Sequence, residues 1–302
     1  MEFQLKDGNL FYSPTGDGNG MEVIGYHGLA GQVEIPGELP GEKGAADVAL
    51  PVRRIGKKAF LSKKYLRSVT VPASITEVGD WAFAYCDSLR EVTFLGRDVT
   101  FGRAAFMECP NLRCVKFQAN CDGVGALLAA AVTQMESPYL LDAREAGSKE
   151  WLGKWDAKML AVLNAADDEG YSKQILCGEE DYESADLETY LSNSRKKKVR
   201  LLLLRLLWPM ELEPKLEEKL REYLLAHTKG CKTEETWQVI RDEYGDRREF
   251  YQLFAQIGCL TKDNAPAVIG ETGEDYPEMK AFFLKFQAQH FANSDFFDTL
   301  EL

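Results

Sequence analysis

Residues 55–71 read IGKKAFLSKKYLRSVTV, residues 78–94 read VGDWAFAYCDSLREVTF, and residues 101–117 read FGRAAFMECPNLRCVKF. The three strings align without a gap at an offset of 23. Gly56, Gly79 and Gly102 coincide, as do Phe60, Phe83 and Phe106, then Leu66, Leu89 and Leu112, and finally Val69, Val92 and Val115. A period of about 20–29 residues predicts a solenoid, in which each unit buries its apolar face only by stacking on its neighbours. Such a scaffold offers a surface rather than a pocket.

Each unit reads as a short strand at its glycine, a one-turn helix at the Ala-Phe pair, and a return strand such as Val69-Thr70-Val71, whose alternation marks a half-buried strand. Pro72 ends that strand. Val33-Glu34-Ile35-Pro36 repeats the same form upstream, which predicts an earlier unit with a loop inserted at 37–50. Residues 1–31 read as a hairpin closing the open end of the stack.

These strings resemble the BspA-type leucine-rich repeat family, whose pattern is I-G-x-x-A-F-x-x-C-x-x-L-x-x-V-x-I/V-P; the resemblance covers residues 23–117. Lys63 stands where Cys86 and Cys109 carry the motif cysteine, and proline is missing after Phe94 and Phe117. The resemblance implies a protein-binding scaffold of a kind often proposed for adhesion on bacterial surfaces.

Beyond Cys121 apolar residues recur at spacings of three and four, which predicts helices over 152–166, 187–191, 199–207, 212–226, 236–244, 250–257 and 279–291. A weaker self-match at an offset of 80, aligning Tyr171 with Tyr251 and Val199–Leu204 with Met279–Leu284, leaves a helical repeat open. The fold class expected is therefore α+β multidomain: a leucine-rich repeat β-solenoid over 1–122 with its capping hairpin, then an all-α acidic domain over 123–302. The segment around Val124–Val132 is expected to cover the last solenoid coil, since an open end exposes core and strand edge.

The net charge of −12 is unevenly placed. Residues 1–122 hold 14 Lys and Arg against 15 Asp and Glu, leaving 22 against 33 in the remainder. That balance argues against nucleic acid and anionic membrane as partners of the second half, both being polyanions. The first twenty residues lack the apolar core of a signal peptide, and Val199–Trp208 is too short to span a bilayer. Seven cysteines without paired spacing fit a reducing compartment, so a cytoplasmic location is expected, or the cell surface if a leader has been removed.

Chemistry-bearing motifs are scarce. His27, His227 and His290 stand apart from any motif, and no metal-binding or phosphate-binding signature occurs. No cofactor or metal is expected. Gly16–Gly20 (GDGNG) reads as a hairpin turn rather than a calcium loop. Cys86 and Cys109, one unit apart, read as packed thiols. Arg195-Lys196-Lys197-Lys198 reads as a solvated helix start or loop. An enzyme site would have to use helical-half carboxylates such as Asp167, Asp168, Glu179, Glu180 and Asp181.

Arg67, Arg90 and Arg113 share one column of the register, so stacked coils place three guanidinium groups in a ladder. Arg53, Arg54, Lys57, Lys58, Lys63 and Lys64 add to this basic surface. It either docks the acidic half of the same chain or meets an external anionic ligand. The function expected is a non-catalytic protein-interaction scaffold, with a surface adhesin as the alternative and an enzyme as the second.

Overall fold

The computed structural model describes residues 1–41, 49–118, 123–171 and 186–291. They divide into two compact units, Met1–Lys158 and Met159–Leu302.

The first unit opens with an antiparallel meander, β1 (Glu2–Leu5), β2 (Gly8–Pro14) and β3 (Met21–Gly28). Then come β4 (Gln32–Glu34), β5 (Glu38–Pro40), β6 (Ala49–Ile55), β7 (Ser68–Val71), β8 (Glu77–Val78), β9 (Glu91–Phe94), β10 (Thr100–Phe101) and β11 (Cys114–Phe117). A seven-stranded mixed sheet runs β1-β2-β3-β6-β8-β10, with β5 paired to β6. A four-stranded parallel sheet runs β11-β9-β7-β4. Within the latter, Val33 lies opposite Val69, Val69 opposite Val92, and Val92 opposite Val115. The Val33–Pro36 segment thus enters the stack in the expected register. Its insertion begins as a hairpin arm, with β5 antiparallel to β6.

The residues that coincide at the 23-residue offset form the core between the sheets. Tyr26, Phe60, Phe83 and Phe106 stack with centroid spacings of 5.6, 5.1 and 5.4 Å. Leu66, Leu89, Leu112 and the aligned valines are buried beside them. The one-turn helix expected at the Ala-Phe pair does not form. The chain instead makes consecutive tight turns, because Lys58 and Ser62 hold positive φ of 61° and 57° and interrupt any helical run. Trp81 and Tyr85, then Ala104 and Glu108, repeat these left-handed positions in the next two turns.

Helix α1 (Val124–Thr133) packs on β11. It is apolar nearly all round and buried along its length. Gly125 permits the approach, since a Cβ there would come 2.6 Å from the Cys114 sulfur and 3.0 Å from the Val115 carbonyl. Helix α2 (Lys149–Asn164) brings Trp155, whose indole donates to the Leu127 carbonyl at 2.9 Å, and Trp151, which donates to Leu140 at 2.8 Å. The change of sequence character at 122 and the change of compact unit at 158 are therefore different boundaries: the first helical segments cover the strands, and the division falls inside α2.

The second unit continues with α3 (Leu187–Leu207), α4 (Pro214–Ala226), α5 (Glu235–Glu243), α6 (Arg248–Gln256), α7 (Ala265–Glu271) and α8 (Pro277–His290). The helices expected at 187–191 and 199–207 are one helix, and Arg195–Lys198 lies within it rather than at a solvated start. Arg195, with a side chain only 14% exposed, pairs with Asp167 at 2.9 Å and Glu235 at 3.3 Å. Lys198, 5% exposed, donates to Asp167 at 2.7 Å and to the Ala165 carbonyl at 2.6 Å. The i, i+3 spacing puts both cations on one face, and half-buried Asp167 and buried Glu235 rather than water receive them. Elsewhere Trp237 packs among Tyr251, Phe254 and Phe283.

Candidate interaction surface

Three strands of the four-stranded sheet, β7, β9 and β11, are each entered through an arginine, whereas β4 follows Gly31. The Arg67 amide donates to the Gly31 carbonyl at 2.7 Å, Arg90 to Arg67 at 2.8 Å, and Arg113 to Arg90 at 2.9 Å. The ladder spaces these residues by one strand, about 4.8 Å. Arg67 and Arg90 are exposed, and Arg113 is half-buried. The row next along the strands holds Ser68, Glu91 and Cys114, and beyond the valine row come Thr70, Thr93 and Lys116. Glu91 pairs with Lys116 at 2.9 Å and accepts the Thr93 hydroxyl at 3.2 Å, so a carboxylate stands beside the basic column.

The other expected basic residues occupy different places in the turn. Arg53 and Arg54 lie in β6. Arg54 is taken up by Glu77 at 2.6 Å, the residue opposite it in β8, and only Arg53 of the two remains exposed. Both line a polar pocket with Thr15, Asp17, Thr76 and Glu77. There Asp17 accepts the Thr15 hydroxyl at 2.6 Å and the Asn19 amide at 3.1 Å, and these bonds hold its carboxyl below the usual range. The GDGNG segment is thus the turn joining β2 to β3. Lys63 and Lys64 sit in the loop before β7.

Lys57 and Lys58 belong to a group the sequence reading missed. Their ammonium groups stand 5.3 and 5.0 Å from the centroid of the Trp81 ring, and the Arg103 guanidinium stands 5.2 Å from it. In the stack Lys57, Asp80 and Arg103 form one column, and Lys58, Trp81 and Ala104 the next. Both columns were readable once the offset was applied to the turn as well as to the strand.

Of the carboxylates named for an enzyme, Asp167 and Asp168 fall among the described residues. Asp167 is bound into the Arg195–Lys198 network, Asp168 is exposed, and Glu179, Glu180 and Asp181 lie outside the described residues. Burial alone would raise the Asp167 carboxyl, but hydrogen bonds from Lys198 and Arg195 outweigh it and hold the group below its ordinary value. His27 packs against Phe11 with the rings tilted by 59°, and His227 stacks on Tyr223. Among the described residues no three His, Cys, Asp or Glu side chains are grouped to hold a metal, and no helix is long and apolar enough to cross a membrane.

Among curated proteins no sequence matches this chain. Among solved structures it is similar to a leucine rich cell surface protein from Faecalibacterium prausnitzii, with 28% identity and a TM-score of 0.32 over 39% of this chain and 32% of that one. A leucine-rich repeat protein from Bacteroides ovatus is 24% identical, with a TM-score of 0.32 over 37% of this chain and 28% of that one. One from Bacteroides capillosus is 22% identical, with a TM-score of 0.29 over 38% of this chain and 97% of that one. The chain spans about a third of the length of the first two. The family model for the BspA type leucine rich repeat region matches in 6 copies. Proteins with this type of repeat are generally protein-interaction or surface proteins. The register of the strands and the phenylalanine stack agree with this match, which places a BspA type leucine rich repeat region at residues 46–138.

Proposed function

We propose that the protein is a non-catalytic protein-interaction scaffold: a β-solenoid of 23-residue period whose binding face centres on Arg67 and Arg90, continued by an all-α region. The observation that supports this is the backbone ladder that sets these two exposed arginines one strand apart. Like charges at that spacing repel unless water or an opposite charge intervenes. An acidic surface on a protein partner supplies that charge and steers the encounter. The pairs Ser68–Glu91 and Thr70–Thr93 on the strands that follow the column offer further hydrogen-bonding groups.

The test is affinity capture from lysate of the source cell, with the full chain and the Arg67→Glu/Arg90→Glu variant immobilised at equal density. A protein held by the first and reduced at least tenfold on the second, at unchanged thermal stability, supports the reading. Equal retention on both removes the arginine column from the binding face, and no specifically retained protein removes the scaffold reading.

A further inference from the structure

We infer that the Trp81 ring and the cations around it form a second docking point, which takes an extended acidic segment of a protein partner; this rests on the scaffold reading but uses a different set of residues. Lys57 and Lys58 come from the turn before Trp81 and Arg103 from the turn after it, and all three are exposed. Among the described residues no carboxylate lies within ion-pair distance of any of them. Asp80, the acid nearest in the column, spends its Oδ1 on the Arg103 backbone amide at 2.7 Å rather than on the guanidinium. Three cations are thus held together by a ring face alone, although cation–π attraction at an exposed site is weak.

Trp81 itself stands where the backbone disfavours it. Its φ is 54°, in a column whose other members are Lys58 at 61° and Ala104 at 53°. The turn imposes this left-handed geometry on whatever residue stands there, and a large aromatic is among the least suited to it. The ring is half-exposed rather than buried, so core packing does not offset the strain. Held in this way, it presents an apolar face to cations drawn from the turns before and after it.

The ligand chemistry follows from the spacing. Carboxylates on alternate residues of an extended chain are about 7 Å apart on one face. Two of them reach two cations that each stand about 5 Å from the same ring centroid. The intervening backbone then crosses the indole. A short peptide with acids at i and i+2 fits. A long polyanion such as nucleic acid is disfavoured by the net charge of −12 on the whole chain.

The probe is a fluorescein-labelled eight-residue peptide alternating glutamate and alanine, with a glutamine–alanine peptide and a single-stranded thymidine oligonucleotide as comparisons. Fluorescence anisotropy with the full chain should show saturable binding of the acidic peptide that weakens with salt. Lys57→Glu/Lys58→Glu should weaken it at least tenfold, and so should Trp81→Gly, which suits the positive φ and keeps the fold. Arg67→Glu/Arg90→Glu should leave peptide binding unchanged while removing the captured partner, so the two readings fail separately. Binding unaffected by the Lys57, Lys58 and Trp81 changes overturns the inference. So does no saturable binding, equal binding of the glutamine peptide, or tighter binding of the oligonucleotide.

Discussion

The thiol of Cys109 donates a hydrogen bond to the carbonyl of Phe83 at 3.0 Å. The same bond, from Cys86 to Phe60 at 3.1 Å, recurs one turn earlier. The motif cysteine thus satisfies a buried backbone acceptor inside the coil.

Burial pushes the Cys86 thiol up to about 11 and those of Cys109 and Cys259 up to about 12. All three stay protonated at neutral pH and react slowly, whereas exposed Cys231 is open to reagent. Brief iodoacetamide treatment of native protein should label Cys231 and spare the other three, as read by peptide mass analysis. The unfolded thiols ionise near 9 and the folded ones higher, so the folded state binds more protons in between. Stability should be flat below pH 8 and fall from about pH 9 towards 11, measured by denaturant midpoint.

Phe83 is fully buried between Phe60 and Phe106. Phe83→Ala should cost about 3–5 kcal/mol in urea unfolding, the range for deleting a large core side chain. Phe106→Ala, at the end of the stack, should cost less.

Asp167 is shared by Arg195 and Lys198, both nearly buried. Asp167→Asn should destabilise the helical unit by about 3 kcal/mol at pH 7, because buried Lys198 loses its carboxylate while Arg195 keeps only Glu235 and Glu188. The folded carboxyl titrates below its unfolded value, so its contribution is present above about pH 4 and is lost as pH falls through the folded value. The gap between wild type and variant should therefore close below pH 4, as followed by circular dichroism.

Helix α1 covers β11, and Trp155 of α2 bonds to it. A fragment ending at residue 122 should be insoluble or melt well below one ending at residue 158. Equal melting temperatures would mean that the helical cover adds nothing to the stack.

The repeat was legible because one small set of apolar residues does the same work three times, and an ungapped offset leaves little freedom in register. Two features were less so. The Ala-Phe turn reads as helical because alanine and phenylalanine carry no mark of left-handed backbone, which here falls on Lys58, Ser62, Trp81 and Tyr85. Arg195–Lys198 reads as solvated because four successive cations resemble a surface. Only the fold reveals Asp167 and Glu235, from 28 positions before to 40 after Arg195, as their buried partners. The basic patch was partly legible: the arginine column follows from the offset, whereas the loss of Arg54 to Glu77 depends on strand pairing.

Because α1 lies on the outermost strand β11 and the β1–β3 meander flanks the other sheet, neither place accepts another turn without displacing what covers it. A turn inserted in the middle meets neighbours of its own kind on both sides. Lengthening of this array is therefore expected by duplication of an interior segment of 23 residues, such as 72–94, and each such event would add one more rung to the arginine column without a new fold having to be found.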